Sequence, residues 1–255
     1  MRLGAHQRGE IGDAVTGSKG ISSLKLAGLL GLQYRTTWHL AHRIRAMMDD
    51  APDLMRSIVE LDETYMGGRP RAKNRPTPPA PVPLFEPEPP PPPPKTGKRR
   101  RKGGRGTDKP MAFTVVERGG KARLVRVLSH GTADFYPLVR DQVHPSAVLA
   151  TDELAAYIAI GRLQAGHITV NHSADEFARN DERTALRAQV NTAESVHSMF
   201  KRAIIGVWHQ ISDQHMGRYL REVEFRWNHR ESFEGRLERL FGSTAGPMPL
   251  KALFA

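Results

Sequence analysis

The sequence predicts a mixed α/β layer fold preceded by a small helical unit. Three observations predict it. From residue 56 onward, short apolar runs of strand character alternate with stretches of helical periodicity. Two of those runs, VELDETY (59–65) and VLATDELAAY (148–157), each end their apolar stretch in an aspartate, Asp62 and Asp152. The segment NTAESVHSMFKR (191–202) opens a helix that carries Glu194 and, seven residues later, Lys201. Seven residues are two helical turns, so both side chains project from one face.

Residues 20–48 read as two helices around a short break. Ser22 or Ser23 caps the first, and Gly31 ends it, because glycine tolerates the left-handed backbone that follows a helix. Leu24, Leu29 and Leu32 are its expected apolar contacts. The second helix starts near Tyr34, with Thr37, Leu40, Ile44 and Met47 at helical spacing. Arg35, His39, His42 and Arg43 lie off that stripe and give it a basic outer face. The pattern fits a helix-turn-helix over residues 1–50 with Arg35, Thr36, His39 and Arg43 toward DNA; an ordinary helical hairpin is the plainer alternative.

Residues 70–110 interrupt the pattern with a proline-rich stretch, then the basic run KTGKRRRKGGRG (95–106). Proline lacks the N–H and fixes φ, so this insert is expected to be extended and outside any core. MAFTVVERGG and KARLVRVLSH (111–130) follow as a hairpin around Gly119-Gly120. A helix over 132–143 capped by Thr132 comes next, then a strand (146–153), a helix (153–163), a strand (167–173), and helices over 192–206 and 213–231. Residues 232–255 form a tail.

The chain has 255 residues and a net charge of +11, with a pI near 10.2. So basic a balance favours a polyanionic partner, and nucleic acid is the default. Basic residues recur outside the 95–106 run, Arg202 among them. There are no cysteines, which excludes disulfides and cysteine zinc sites. No apolar run is long enough to cross a bilayer, and MRLGAHQRGE lacks the apolar segment of a secretory signal. A soluble cytoplasmic protein, associated with the nucleoid, is the expectation.

Asp62, Asp152 and Glu194 come from separated elements. If the two strands are neighbours, both aspartates reach the sheet edge where ligands gather in open α/β sheets. A helix packed across that edge adds Glu194. Hard oxygen donors of this kind suit Mg²⁺ or Mn²⁺ rather than zinc. Two such ions serve phosphoryl transfer by activating the attacking oxygen and stabilising the leaving one. Lys201 neutralises developing charge or orients a phosphate. Each residue also has a duller role. Glu194 fits the third position of a capping box with Asn191, Glu63 is a rival to Asp62, and Asp152 fits a helix cap. His172, His197, His209 and His215 are read as surface or hydrogen-bonded side chains, not ligands.

Taken together, VELDETYMGGR, VLATDELAAY, NTAESVHSMFKRAIIGVWHQISDQHMGRYLREVEFRWNHR and the upstream helix pair resemble the bacterial transposases of insertion-sequence family 1595. These are similar to the transposases of the eukaryotic Merlin elements. The resemblance covers most of residues 19–230 apart from the insert. It implies a ribonuclease H-like catalytic domain over residues 56–231 with a DDE triad: Asp62 first, Asp152 second, Glu194 third, Lys201 as the accompanying base. Some members carry asparagine at the third place, which makes Asn191 the rival to Glu194. The implied activity is Mg²⁺- or Mn²⁺-dependent cutting of element ends and joining of the freed 3′-hydroxyls to target DNA. A homodimer or larger synaptic assembly is implied, since two ends are handled together. Members often begin with a cysteine zinc ribbon; its absence here is expected of a truncated copy or a natural variant. Two alternatives to a transposase stay open: a nuclease that cuts without joining, and an inactive or domesticated DNA-binding descendant.

Overall fold

Alternation along the first strand decides which side of the sheet meets which helices. In the computed structural model β1 runs Ile58–Tyr65. Val59 and Leu61 are fully buried on one side, and Glu60, Asp62 and Thr64 alternate onto the other. The structure describes residues 19–49, 53–66, 109–171, 178–182, 184–232, 235–236 and 239–240. The insert expected over 70–110 lies outside them except for its last two residues, and so do residues 1–18 and most of the tail.

β2 (Met111–Glu117) and β3 (Ala122–Val127) form the predicted hairpin, with Gly119 at φ +71° in its turn. Two shorter strands, β4 (Val148–Thr151) and β5 (Gly166–Thr169), complete a five-stranded sheet of order β3-β2-β1-β4-β5. The hairpin pairs antiparallel to β1, whereas β1, β4 and β5 run parallel. Such a mixed sheet with helices on both faces is compatible with a ribonuclease H-like domain.

One face packs on α3 (Thr132–Gln142) and α4 (Ala155–Gly161), where Phe113, Phe135 and Tyr157 stack. The other packs on α5 (Asn191–Ala203) and α6 (Met216–Asn228), through Ala193, Val196, Phe200, Leu220 and Val223. A two-stranded ribbon, β6 (Arg179–Asn180) with β7 (Arg187–Ala188), leads into α5. Gly131 rather than Thr132 is the cap of α3, so the expected cap lies one residue too late.

The helix pair at the amino-terminal end forms as expected. α1 spans Ser23–Leu30, with Ser22 Oγ accepting from Lys25 N at 3.1 Å and Gly31 left-handed at its end. α2 spans Tyr34–Met47. Their packing differs from the expectation. Leu26, Ala27 and Leu30 are buried, while Leu24 and Leu29 are exposed. His42 and Arg45 are buried too, because α2 turns that side toward α6 rather than toward solvent. Arg45 Nε meets Glu222 at 2.7 Å, and Arg226 meets the same carboxylate at 2.8 Å. Burial works to raise the Glu222 pKa, but the two guanidiniums outweigh it and hold the carboxyl below its usual range.

Candidate active site

Asp62 is not a strand-end residue: β1 continues to Tyr65, paired with β2. The partnership with β4 ends near it instead. Ile58, Val59 and Glu60 stand opposite Val148, Leu149 and Ala150. The same register carried two residues on sets Asp62 level with Asp152, directly after β4. Neighbouring strands lie about 4.8 Å apart, so the sheet itself brings the two aspartates together.

Their surroundings record the proximity. Tyr157 of α4 is buried, and its hydroxyl donates to Glu63 Oε2 at 2.5 Å. Burial raises the Tyr157 pKa well above its usual value, and the negative charges of Glu63, Asp62 and Asp152 add to the rise. Glu63, the rival to Asp62, points to this α4 side and is engaged by Tyr157. Asp152 Oδ1 accepts the N–H of Leu154, the residue just before α4, at 2.9 Å. It thus steadies the entry to that helix, as the cap alternative anticipated, although the cap position itself is Leu154.

On the opposite side of the sheet, α5 crosses β1 and β2. Its start is held by a carboxylate of β1. Glu60, fully buried, accepts the backbone N–H groups of Thr192 at 2.7 Å and Ala193 at 3.0 Å. Free N–H groups at a helix start are ordinarily met by a local cap. Here a strand carboxylate meets them, and its negative charge suits that end of the helix dipole. Arg118 Nε pairs with Glu60 at 2.7 Å while its other nitrogens donate to the carbonyls of Arg187 and Gln189. The network ties the chain before α5 to β1. Asn191 consequently does not cap the helix. It is the first helical residue, Val190 holds the cap position without a side-chain bond, and Glu194 moves beyond the capping-box position.

Glu194, His197 and Lys201 follow at i, i+3 and i+7 and make one stripe of α5. His197 is the member that touches the sheet. Its Nδ1 lies 3.3 Å from Asp62 Oδ2, and its Nε2 lies 2.9 Å from Thr114 Oγ1. The other Asp62 oxygen accepts the Glu63 N–H at 2.8 Å. Glu194 and Lys201 are exposed on either side of His197. Among the described residues, no three histidine or carboxylate side chains stand close enough to hold one metal ion. Asp62 and Asp152 both act on Tyr157, while Glu194 stays exposed on α5.

Glu60 and Tyr157 were missed, although Glu60 sits two residues before Asp62 on the same strand face, inside an apolar run. His197, read as a surface or hydrogen-bonded side chain, is hydrogen-bonded within the Glu194–Lys201 stripe. Of the expected DNA-facing residues, Arg35, Thr36, Arg43 and Arg202 are exposed and His39 is half-buried.

No helix among the described residues is long and apolar enough to cross a membrane. No curated protein matches the chain. A family model, the ISXO2-like transposase domain, matches residues 55–228. That span starts at Met55, just before β1, and ends with α6, so it holds Asp62, Asp152, Glu194 and Lys201 and leaves out the α1–α2 pair. It covers more than half of the 255 residues, and the chain belongs to the family of ISXO2-like transposase domains.

Proposed function

We propose that the chain is a metal-dependent DNA transposase that cuts the ends of its element and joins the freed 3′-hydroxyls to target DNA. The observation that supports the reading is the β1–β4 register, which carried two residues on sets Asp62 level with Asp152 just after β4, with α5 crossing beside Asp62. Membership of a transposase-domain family supports DNA as the substrate.

The donor chemistry of the pair fits a hard divalent cation. Both are carboxylates and both are half-exposed, and His197 stands beside one Asp62 oxygen. Asp62 and Asp152 would hold Mg²⁺ or Mn²⁺, with Glu194, or its rival Asn191, completing the set when DNA is bound. The bound ion would supply activation of the attacking water or 3′-hydroxyl. His197 keeps Asp62 in one orientation, and Thr114 keeps His197 in place. Lys201, exposed two turns from Glu194, meets a backbone phosphate. Arg35, Thr36, His39 and Arg43 on α2, with Arg202 on α5, supply further DNA contacts, most of them to phosphates. Two element ends require at least two copies of the chain.

The test is cleavage of labelled DNA carrying the element end, with Mg²⁺ or Mn²⁺, by the wild type and by Asp62→Asn, Asp152→Asn, Glu194→Gln and Asn191→Ala. The expected result is nicking and joining by the wild type, with losses on the order of a thousandfold in the Asp62, Asp152 and Glu194 variants and unchanged DNA binding. An active Glu194→Gln with an inactive Asn191→Ala reassigns the third position. DNA binding without metal-dependent cutting by the wild type replaces the enzyme with a DNA-binding descendant.

A further inference from the structure

A cleft of about 280 Å³ opens between the amino-terminal helix pair and the turn that follows α5, away from the carboxylates. Its lining is aromatic. α2 contributes Tyr34 and Trp38, one helical turn apart; the turn contributes Trp208, His209 and Gln210; α6 contributes Tyr219. Tyr34 is 55% exposed, so its ring is open to solvent at the cleft. The Trp208 and Tyr219 rings lie 4.8 Å apart, and Arg45 stacks over Tyr219 at 4.2 Å, which holds that side of the cleft rigid.

The turn itself is strained. Residues Ile204–Trp208 are wound as a π-helix, and His209 follows at φ +58°, a left-handed backbone on a residue with a side chain. Distortions of both kinds concentrate where a side chain is re-aimed for function. Here the distortion ends α5 and carries Trp208 to the cleft. The buried indole N–H of Trp208 has no hydrogen-bond partner among the described residues.

Cations adjoin the lining in the chain: exposed Lys25 follows Leu24 on α1, and exposed Arg35 follows Tyr34 on α2. Neither α1 nor α2 has an acid in its first turn, and Asp213, the acid closest after the turn, is engaged by Arg126 at 2.5 Å. Flat rings bordered by cations are the combination that binds single-stranded nucleic acid, bases stacking on the rings while the cations follow the backbone.

We propose that this cleft takes an unpaired nucleobase, stacked against Tyr34 and Trp38, from a DNA strand lying along α5. α5 joins the two regions, since the ten residues from Glu194 to Ile204 span about 15 Å. The inference rests on the transposase reading for the identity of the polymer, but its test uses binding alone and no metal. A failure to cut DNA therefore leaves it standing, and its own failure leaves the cutting reading standing.

The experiment measures binding of the full chain, in the presence of a chelator, to a labelled oligothymidylate of about 16 nucleotides and to a duplex of equal length. The wild type, Tyr34→Ala, Trp38→Ala and Trp38→Phe are compared, with tryptophan fluorescence as a second readout. The expected result is quenching of tryptophan emission by the single strand. Its affinity falls on the order of tenfold in Tyr34→Ala and Trp38→Ala, is largely retained in Trp38→Phe, and duplex affinity is unchanged. Tyr34 is exposed, so its truncation leaves the fold intact and keeps the test decisive should Trp38→Ala unfold. Single-strand affinity unaltered in Tyr34→Ala, or an equal fall for both DNA forms, overturns the proposal.

Discussion

His197 on α5 and Asp62 on β1 are joined at 3.3 Å, Nδ1 to Oδ2, with Thr114 on the far ring nitrogen at 2.9 Å. A histidine held at both nitrogens has one orientation, and it passes that orientation to the carboxylate. The contact is also where the helix carrying Glu194 and Lys201 meets the strand carrying the first aspartate. His197→Ala is expected to weaken Mn²⁺ affinity about 10- to 100-fold, and His197→Asn to recover part of it. Titration calorimetry with Mn²⁺ on the folded variants checks this; unchanged affinity removes His197 from the site.

Lys201 is predicted to act on DNA rather than on the fold, since it is exposed near the end of α5. Lys201→Ala should leave thermal stability within about 0.5 kcal/mol of wild type while cleavage slows. It should also lower the salt dependence of DNA binding by about one phosphate contact. Binding titrations across a salt series provide the measurement.

Glu60 carries a structural load out of proportion to its position beside Asp62. Its removal strands the Arg118 charge and the N–H groups of Thr192 and Ala193. Glu60→Ala is expected to cost about 3–5 kcal/mol, seen as a lower urea midpoint. Activity should fall with it, because α5 loses its anchor over β1.

The buried Arg45–Glu222–Arg226 cluster couples the helix pair to α6. Glu222→Ala leaves two buried cations facing each other and is predicted to destabilise by about 3–5 kcal/mol. Arg45→Met, which leaves Glu222 with Arg226, is expected to cost less. Urea unfolding of both variants tests the ordering.

His42 gives the protein a pH dependence. It is fully buried among Trp38, His215 and Tyr219, and neither ring nitrogen has a partner among the described residues. Burial, then the charge of Arg45, lowers its pKa from 6.5 to about 3, with His215, Arg218 and His39 acting in the same direction. The folded pKa lies below the unfolded one, so the unfolded chain binds the proton first as pH falls. This contribution is complete above pH 6.5 and is lost from there down toward about 3, at up to about 1.4 kcal/mol per pH unit. Unfolding free energies between pH 7 and 5 should show the slope in the wild type and a shallower one in His42→Leu.

Much of this protein was legible in the residues taken one segment at a time. The strand–hairpin–helix order and the caps Ser22 and Gly31 follow from alternation, helical spacing and turn chemistry, all local properties. The family, too, could be identified from its motifs. Contacts between distant segments could not. That Glu60 rather than Asn191 serves the start of α5 depends on residues 132 and more positions apart. That His42 faces inward, against the basic outer-face expectation, depends on His215 and Tyr219, and the burial of Arg45 depends on Glu222 on a helix 177 residues later. A charged side chain is exposed or buried according to whether a partner exists to offset its desolvation. Periodicity carries no information about that partner, so the tertiary structure alone decided which polar residues are buried in pairs and which remain exposed.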